Sequence, residues 1–284
     1  MNIVIIGAAR SGTNMLRDLL CNLDDFATWP CDEINYIWRY GQKTIEHDQF
    51  TSKDANKRNK TYINKQFEWV RKKYNVNNVI EKTCANSLRV DFVNEIVPDA
   101  KYIFLFRDPM DVVASAELRW KAELDIKYLM AKARFIPKAD IPYYGSKYLL
   151  NRINKILDKE KRLSYWGPKY IGFEEDAKRL SAIEISAQQW LKSVEASADA
   201  FCNMKKDQYL ALDYNAFVNN PTYELKKILE FLKYSIDEQK LEEISANVSN
   251  KSIGKGYRTI KDSDMCLVKN IVGDKYSELK SEFL

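Results

Sequence analysis

The stretch NIVIIGAARSGTNMLRDLL, residues 2–20, decides the fold. It opens with a short apolar run, passes through a loop that contains Gly7 and Gly12, and continues with leucines at helical spacing. A continuous apolar run of this length is typical of a strand that is buried on both faces of a parallel sheet. The stretch therefore predicts a strand, a glycine-containing loop and a helix, which is the order of elements in a phosphate-binding loop.

The loop departs from the common nucleotide-binding pattern at one position. The pattern G-x-x-x-x-G-K-[ST] requires a lysine directly after the second glycine, and Thr13 stands there instead. The backbone N–H groups of residues 11–14 still favour an anion, because they lie at the start of the predicted helix. Arg10 and Thr13 are the side chains expected to replace the lysine. The sequence thus predicts an anion site, with an ordinary strand, turn and helix as the alternative.

A second segment, KYIFLFRDPMDVVAS at residues 101–115, predicts a companion to this loop. Asp108 is a favoured N-cap and Pro109 a favoured first helical residue, so Arg107 stands at the end of a buried strand. Ligands of open α/β sheets bind at the carboxyl ends of the strands. Arg107 and Ser115, which lies about two turns into the helix, are therefore expected to meet one phosphate. The alternative is that Arg107 pairs with a nearby acid.

Three further apolar segments complete the predicted sheet. They are VNNVIEKT, AKYIFLF and DQYLALDY, at residues 76–83, 100–106 and 207–214. Helical patterns follow them, and PTYELKKILEFLKY at residues 221–234 predicts an amphipathic helix that begins with proline. This alternation predicts an α/β fold, a parallel sheet flanked by helices, in a single domain of residues 1–284. Residues 119–180, rich in aromatic and basic side chains, are predicted to form a helical insertion over one face of the sheet.

Composition narrows the classes of function. The chain has 45 basic and 40 acidic residues and a net charge of +5, too weak a positive charge to predict a nucleic-acid partner. A single histidine and five scattered cysteines make a zinc site unexpected, and reduced cysteines are typical of cytosolic proteins. No apolar run approaches the roughly 20 residues of a membrane span, and no basic leader precedes the first strand. We therefore expect a soluble, cytoplasmic protein without a metal site.

Taken together, the two segments resemble those of the PAPS-dependent sulfotransferases, in particular the carbohydrate-type and bacterial members. GAARSGTNMLRDLL is similar to the loop that holds the 5'-phosphosulfate in that family, and FLFRDPMDVVAS to the segment whose arginine and serine hold the 3'-phosphate. EKTCAN at residues 81–86 is similar to a further segment, with Cys84 where proline is usual. Looser matches extend the resemblance over most of the chain: CDEINYIWRYG, AQQW and LALDYNAFVNNPTYELKKILEFL.

The resemblance implies a three-layer sheet like that of the P-loop NTPases. It also implies the donor 3'-phosphoadenosine 5'-phosphosulfate (PAPS), the product adenosine 3',5'-bisphosphate (PAP) and no metal. The residues implied in donor binding are Arg10, Ser11, Gly12, Thr13, Asn14, Arg107, Ser115 and, in a basic loop near the carboxyl end, Lys255, Gly256, Tyr257 and Arg258. Arg10 and Lys82 are expected to stabilise the negative charge on the leaving phosphate. An ordinary exposed basic loop remains the alternative for residues 255–258.

The acceptor needs a base, and the resemblance implies Glu33 in that role. A carboxylate among several cations is expected to have a lowered pKa, so that it works through hydrogen-bond geometry. Asp32 and Glu81 remain possible substitutes. His47, the one histidine, lies in a polar stretch without other motif residues and is expected to be a surface residue.

The insertion bears on the acceptor, which is expected to be a hydroxyl or amine of a saccharide. Aromatic faces stack on sugar rings and basic groups recognise acidic ones, but the same aromatic residues also fit the core of a helical cap. They are Tyr143, Tyr144, Tyr148, Tyr165, Trp166 and Tyr170. Two rival functions stay open: a P-loop kinase that acts on a small molecule, and a non-catalytic nucleotide-binding protein on the same scaffold. The sequence leaves the oligomeric state open.

Overall fold

The computed structural model describes residues 1–121, 126–146 and 166–284. Within these residues the chain forms a parallel sheet of five strands in the order β2-β3-β1-β4-β5. The strands are β1 Asn2–Ile6, β2 Phe26–Ala27, β3 Asn78–Lys82, β4 Lys101–Phe106 and β5 Tyr209–Asp213. The four predicted strands are confirmed. The prediction lacked β2, because two residues are too short to give a periodic pattern.

Helices connect the strands and cover the sheet. The helix predicted at 221–234 is confirmed and ends three residues early, at Phe231. The described helices, numbered in chain order, are α1 Thr13–Leu20, α2 Asn35–Trp38, α3 Lys57–Tyr74, α4 Val90–Ile96, α5 Pro109–Lys121, α6 Ile126–Ala133, α7 Phe173–Arg179, α8 Ala182–Cys202, α9 Tyr214–Asn219, α10 Pro221–Phe231, α11 Glu238–Ser245, α12 Lys255–Thr259, α13 Asp262–Val272 and α14 Lys275–Phe283. Short 3-10 helices lie at Ser52–Asp54, Cys84–Leu88 and Lys138–Asp140.

The sheet is buried on both faces, as its continuous apolar strands predict. In β1, Val4 and Ile6 join a core cluster with residues of α3, α4 and α8. Ile3 and Ile5 point to the other face and join a second cluster with residues of α1 and α10. Because successive side chains of a strand alternate between faces, these two clusters make the three-layer α/β arrangement.

The strand register brings three loops to one edge of the sheet. Strand β1 lies between β3 and β4, with Ile5 opposite Lys82 and Ile6 opposite Phe104. The segments that follow Ile6, Lys82 and Phe106 therefore leave the sheet side by side. At the third of them, Asp108 accepts the N–H of Met110 at 2.8 Å and α5 begins at proline, as the sequence predicts. This edge is the place where open α/β sheets bind ligands.

The described part of the predicted insertion at 119–180 contains the end of α5, α6, a helical run at residues 141–146 and α7, whereas residues 166–172 are not helical. Its residues 122–125 and 147–165 lie outside the described residues, and with them Tyr148 and Tyr165. Among the helices that are described, none combines the length and the apolar character needed to cross a membrane.

Candidate active site

The loop between β1 and α1 forms a cradle at the edge of the sheet. Gly12 is the N-cap of α1 with a φ of +92°, a conformation that side chains rarely adopt. A Cβ at this position would lie 2.4 Å from Cε2 of Tyr214, so the close approach also requires glycine. The hydroxyl of Ser11 beside it is buried and has no hydrogen-bond partner among the described residues. A buried polar group without a partner is costly, and an oxyanion seated on the helix start would supply one.

Arg10 connects this cradle to the start of α5. Its φ is +73°, which is uncommon for a residue with a side chain and typical of strained functional loops. Its Nε donates to Ser115 Oγ at 2.9 Å, and its carbonyl oxygen accepts from a terminal nitrogen of Arg107 at 3.3 Å. The structure thus brings together the three residues that the sequence selects from two distant segments.

Arg107 is held on several sides. Its guanidinium lies over the ring of Tyr214 at 4.2 Å and donates to the carbonyl of Ser252 at 2.9 Å. A terminal nitrogen lies 3.6 Å from a carboxylate oxygen of Asp111, so the pairing with a nearby acid is present as well. The Nε of Arg107 is buried without a hydrogen-bond partner among the described residues. The Nε–H donor of the guanidinium is therefore available to an anion.

The segment 252–258 docks on the first turn of α5. The prediction of a loop at residues 255–258 was wrong, because Lys255–Thr259 form the short helix α12. The two carboxylate oxygens of Asp111 accept the backbone N–H groups of Gly254 and Gly256, at 2.9 and 2.8 Å. A Cβ on Gly256 would lie 2.2 Å from a backbone carbonyl oxygen of α5, so this contact admits only glycine. Tyr257 donates to Asp108 at 3.1 Å; burial, and then the negative charge of Asp108, raise the pKa of Tyr257 to about 12.

Two further residues of this segment, Lys255 and Arg258, are exposed. Arg258 donates to the carbonyl of Ile253 at 3.0 Å. The segment therefore places two accessible basic side chains next to the docked glycines.

Lys82, the last residue of β3, points into the same cleft. Its side chain is only 2% exposed, and its Nζ lies 3.0 Å from Glu33 Oε1 and 3.3 Å from Asp32 Oδ1. Burial by itself lowers the pKa of a lysine, but the adjacent Glu33 carboxylate outweighs it and the pKa of Lys82 is raised. Lys82 therefore carries its positive charge at neutral pH, at the edge of the sheet.

Glu33 has its two carboxylate oxygens in different surroundings. Oε1 accepts from Lys82 Nζ and, at 3.3 Å, from the backbone N–H of Cys84. Oε2 lies 3.6 Å from Nζ of Lys132 in α6. Burial raises the pKa of this carboxyl, but the two lysines more than offset it, so the pKa of Glu33 lies well below its usual range. Glu33 is ionised, with Oε2 on the side of the insertion. Lys132 is missing from the sequence-based site because no motif surrounds it.

Asp32, the acid adjacent to Glu33, contacts residues of α1 next to the cradle. Its Oδ1 accepts from Asn14 Nδ2 at 2.6 Å and from Arg17 at 3.0 Å, in addition to Lys82. These contacts tie residues 31–36, here called the Glu33 segment, to α1. The sequence-based site omits Arg17. Burial raises the pKa of Asp32, but Lys82 and the other cations lower it overall.

Glu81 and His47 differ from Glu33. Glu81 is fully buried and accepts from Trp38 Nε1 at 3.0 Å and from Asn86 Nδ2 at 2.9 Å. Its burial raises the pKa of Glu81, and Glu81 lies on the face of β3 opposite to Lys82.

His47 is half-buried, although a surface position was expected, and its Nδ1 has no partner among the described residues. No described hydrogen bond or ion pair links the His47 side chain to the cradle.

The described aromatic residues of the insertion separate into two groups. Trp166 and Tyr170 pack with Trp120 in a small core cluster. Tyr144 packs edge-on against Tyr36 at 4.6 Å between ring centres, with Tyr143 beside it. Trp166 and Tyr170 therefore belong to the core of a helical cap, whereas Tyr143 and Tyr144 lie next to the Glu33 segment. In the part of the chain that the structure describes, no three acidic, histidine or cysteine side chains come close enough to hold a metal ion.

Comparison with known proteins agrees with this geometry. The sulfotransferase domain family matches residues 1–284, the whole chain. The chain therefore belongs to the sulfotransferase domain family. It is a sulfotransferase, an enzyme whose sulfuryl donor is PAPS. No curated protein matches the chain.

Solved sulfotransferase structures share the fold at low sequence identity. A sulfotransferase from Mycobacterium avium matches with a TM-score of 0.54 and 10% identity, over 99% of this chain and 76% of that one. The sulfotransferase domain of a Synechococcus olefin synthase gives 0.51 and 15%, over 96% and 95%. A mouse sulfotransferase complexed with PAP gives 0.51 and 12%, over 99% and 88%.

Proposed function

We propose that Glu33 removes the proton of the acceptor while Lys82 and Arg10 stabilise the leaving phosphate of PAPS. The observation that carries the proposal is the ion pair of Glu33 and Lys82 at 3.0 Å, at the sheet edge where the cradle of residues 10–14 also lies. A base and a cation side by side are what a transfer needs when a proton leaves one oxygen and negative charge grows on another.

The cradle is the proposed site of the 5'-phosphosulfate. Its ligands would be the backbone N–H groups of residues 11–14 together with the hydroxyl of Ser11, which is buried without a described partner. Arg107 and Ser115 are the proposed ligands of the 3'-phosphate, supported by their shared contact with Arg10. Residues 255–258 would then close over the nucleotide, because their segment is already docked on α5 through Asp111.

The proposed reaction is an in-line displacement at sulfur. The acceptor oxygen or nitrogen forms a bond to sulfur, its proton passes to Oε2 of Glu33, and the bond from sulfur to the bridging phosphate oxygen breaks. Sulfuryl transfer is close to phosphoryl transfer, in which positioning and electrostatic stabilisation supply most of the catalysis. Lys82 is suited to the second task, since its raised pKa keeps it charged throughout.

The segment 119–180 is the proposed acceptor-binding part of the chain. We propose a saccharide acceptor that binds over the Glu33 segment, where the rings of Tyr36 and Tyr144 lie.

Residues 1–284 would form a single domain. A cytoplasmic location is also proposed, and the five free cysteines support it because the cytosol keeps thiols reduced.

Titration calorimetry tests the donor site. PAP is expected to bind at least about tenfold more tightly than AMP, since the 3'-phosphate adds one charge-assisted contact with Arg107. ATP with magnesium is expected to bind more weakly than PAP. Tighter binding of ATP, together with phosphate transfer, would contradict the proposal and point to a kinase. Tight PAP binding combined with full activity of Glu33→Gln would point instead to a different base.

A further inference from the structure

A cavity of about 350 Å³ lies between α3 and the segment that follows α6. Its walls include Tyr40, Tyr62, Phe135 and Pro137, and its rim carries Arg134 and Lys138. None of these residues belongs to the donor site described above. A volume in this range suits one small ligand.

The walls of the cavity present flat rings. Tyr40 and Tyr62 stack with ring centres 3.9 Å apart and planes 23° from parallel. Phe135 is fixed in place edge-on against Trp69 of α3, at 5.6 Å. Fixed aromatic faces next to an open volume favour a flat ring or the apolar face of a sugar ring.

Among the described residues, the basic side chains on the rim of the cavity make no ion pairs. Arg134 and Lys138 are exposed, and neither makes an ion pair or side-chain hydrogen bond within the described part of the chain. Arg58 adds a third cation, over the ring of Tyr40 at 5.2 Å. Asp140, an acid close to the cavity, is buried and paired with Lys43 at 2.6 Å. The cavity therefore favours an anion.

The cavity adjoins the proposed base through α6. Lys132 Nζ lies 3.6 Å from Glu33 Oε2, and Arg134 follows Lys132 by two residues. Two residues span at most about 7 Å of chain. Several of the residues that line the cavity and the lysine that contacts Glu33 therefore belong to one short segment of the chain.

We propose that this cavity is the recognition subsite for the acceptor, and that the acceptor is a ring compound that carries an anionic group. Arg134 and Lys138 bind the anion, while Tyr40 and Phe135 hold the ring. When the hydroxyl of the acceptor approaches Glu33 Oε2, Lys132 moves from the carboxylate toward the acceptor. The proposal rests on the proposed function, since it takes Glu33 as the base.

The test compares two probes that differ in one carboxylate, p-nitrophenyl β-D-glucuronide and p-nitrophenyl β-D-glucoside. Calorimetry on the full chain saturated with PAP is expected to give about tenfold tighter binding of the glucuronide, the effect of a charge-assisted hydrogen bond. The double variant Arg134→Gln with Lys138→Gln is expected to abolish that preference while PAP binding stays unchanged. The matched control, Lys178→Gln with Arg179→Gln on α7, removes the same two charges from an exposed surface and is expected to retain the preference.

Three results would overturn the subsite. The first is equal binding of the two glycosides or binding of neither at millimolar concentration. The second is a preference that survives the double variant, and the third is its equal loss in the control. These results are separate from a failure of the proposed function, in which PAP would not bind or Glu33→Gln would stay active while the glucuronide preference persisted.

Discussion

The proposed donor side and the proposed acceptor side of this active site are built in different ways. The donor side consists of backbone groups and buried side chains that β1, β4 and α5 fix in place, such as Gly12 and the hydroxyl of Ser11. On the acceptor side, long cationic side chains extend from the segment after α5, as Lys132 does over Glu33. In the proposed function, the fold itself would select the donor, whereas charge on the segment after α5 would select the acceptor. Glu33 lies between the two sides.

The largest effect is expected where the two sides meet. Glu33→Gln keeps the shape and most hydrogen bonds of the side chain but removes the base, so the transfer rate is expected to fall by about 10²–10⁴-fold. The affinity for PAP is expected to stay near that of the wild type, because the contacts of Arg107 and Ser115 are unchanged. The measurement is the rate of PAP formation from PAPS, with an accepted substrate or with water as a slow acceptor.

His47→Ala is the control for this substitution and is expected to be close to neutral. An inactive His47 variant beside an active Glu33 variant would reassign the base. Asp32→Asn distinguishes the adjacent acid, since Asp32 holds Asn14 and Arg17 of the donor side. Its main expected effect is on PAP affinity, and an effect on the rate alone would make Asp32 the base.

The donor side is expected to respond to Arg107→Ala with a loss of binding. PAP affinity should fall by roughly 1.5–3 kcal/mol, or about 10–100-fold, the range for a charge-assisted hydrogen bond. AMP, which lacks the 3'-phosphate, should lose much less. Calorimetry with both nucleotides measures the difference. Equal losses would mean that Arg107 acts mainly through its contacts with Ser252 and Asp111, as a support of the fold.

A smaller effect is expected at the docked segment 252–258. Gly256→Ala forces a Cβ within 2.2 Å of the carbonyl oxygen of Met110, so the segment must separate from α5. PAP affinity is expected to fall by roughly three- to tenfold, about the contribution of one hydrogen bond. Gly273→Ala is the matched control, because Gly273 also has a constrained position, with φ +53°, but no close neighbour to its Cβ. Similar PAP affinities in the two variants would show that the segment does not cover the nucleotide.

The local geometry of the proposed donor side was predictable from the sequence because its signals are local. The strand, the loop glycine and the helix start occur within residues 2–20, and Asp108 with Pro109 marks the start of α5. Period-two alternation along β3 also explains why Lys82 faces the cleft and Glu81 does not.

The missing parts of the site depend on contacts between distant segments. Lys132 is about 100 positions from Glu33, and Asp111 is 145 positions from Gly256. No spacing rule links such pairs, since only the folded sheet edge brings them together. The expectation that His47 lies at the surface was wrong, because contacts with distant segments leave it half-buried. Tertiary packing thus decides the details that local patterns leave open.

The smallest effect is expected from pH. The cations around Glu33 and Asp32 lower the pKa of both carboxyls, so neither takes up a proton until the pH falls below the ordinary carboxyl range near 4. On the alkaline side, the raised pKa of Lys82 preserves its charge beyond pH 10. The transfer rate at saturating substrates should therefore change by less than about twofold between pH 5 and pH 9. The measurement is a rate profile over that interval, with the folded state followed by circular dichroism. A limb with a midpoint between pH 6 and pH 7 that appears in the folded wild type and disappears in His47→Ala would contradict Glu33 as the base and return the role to His47.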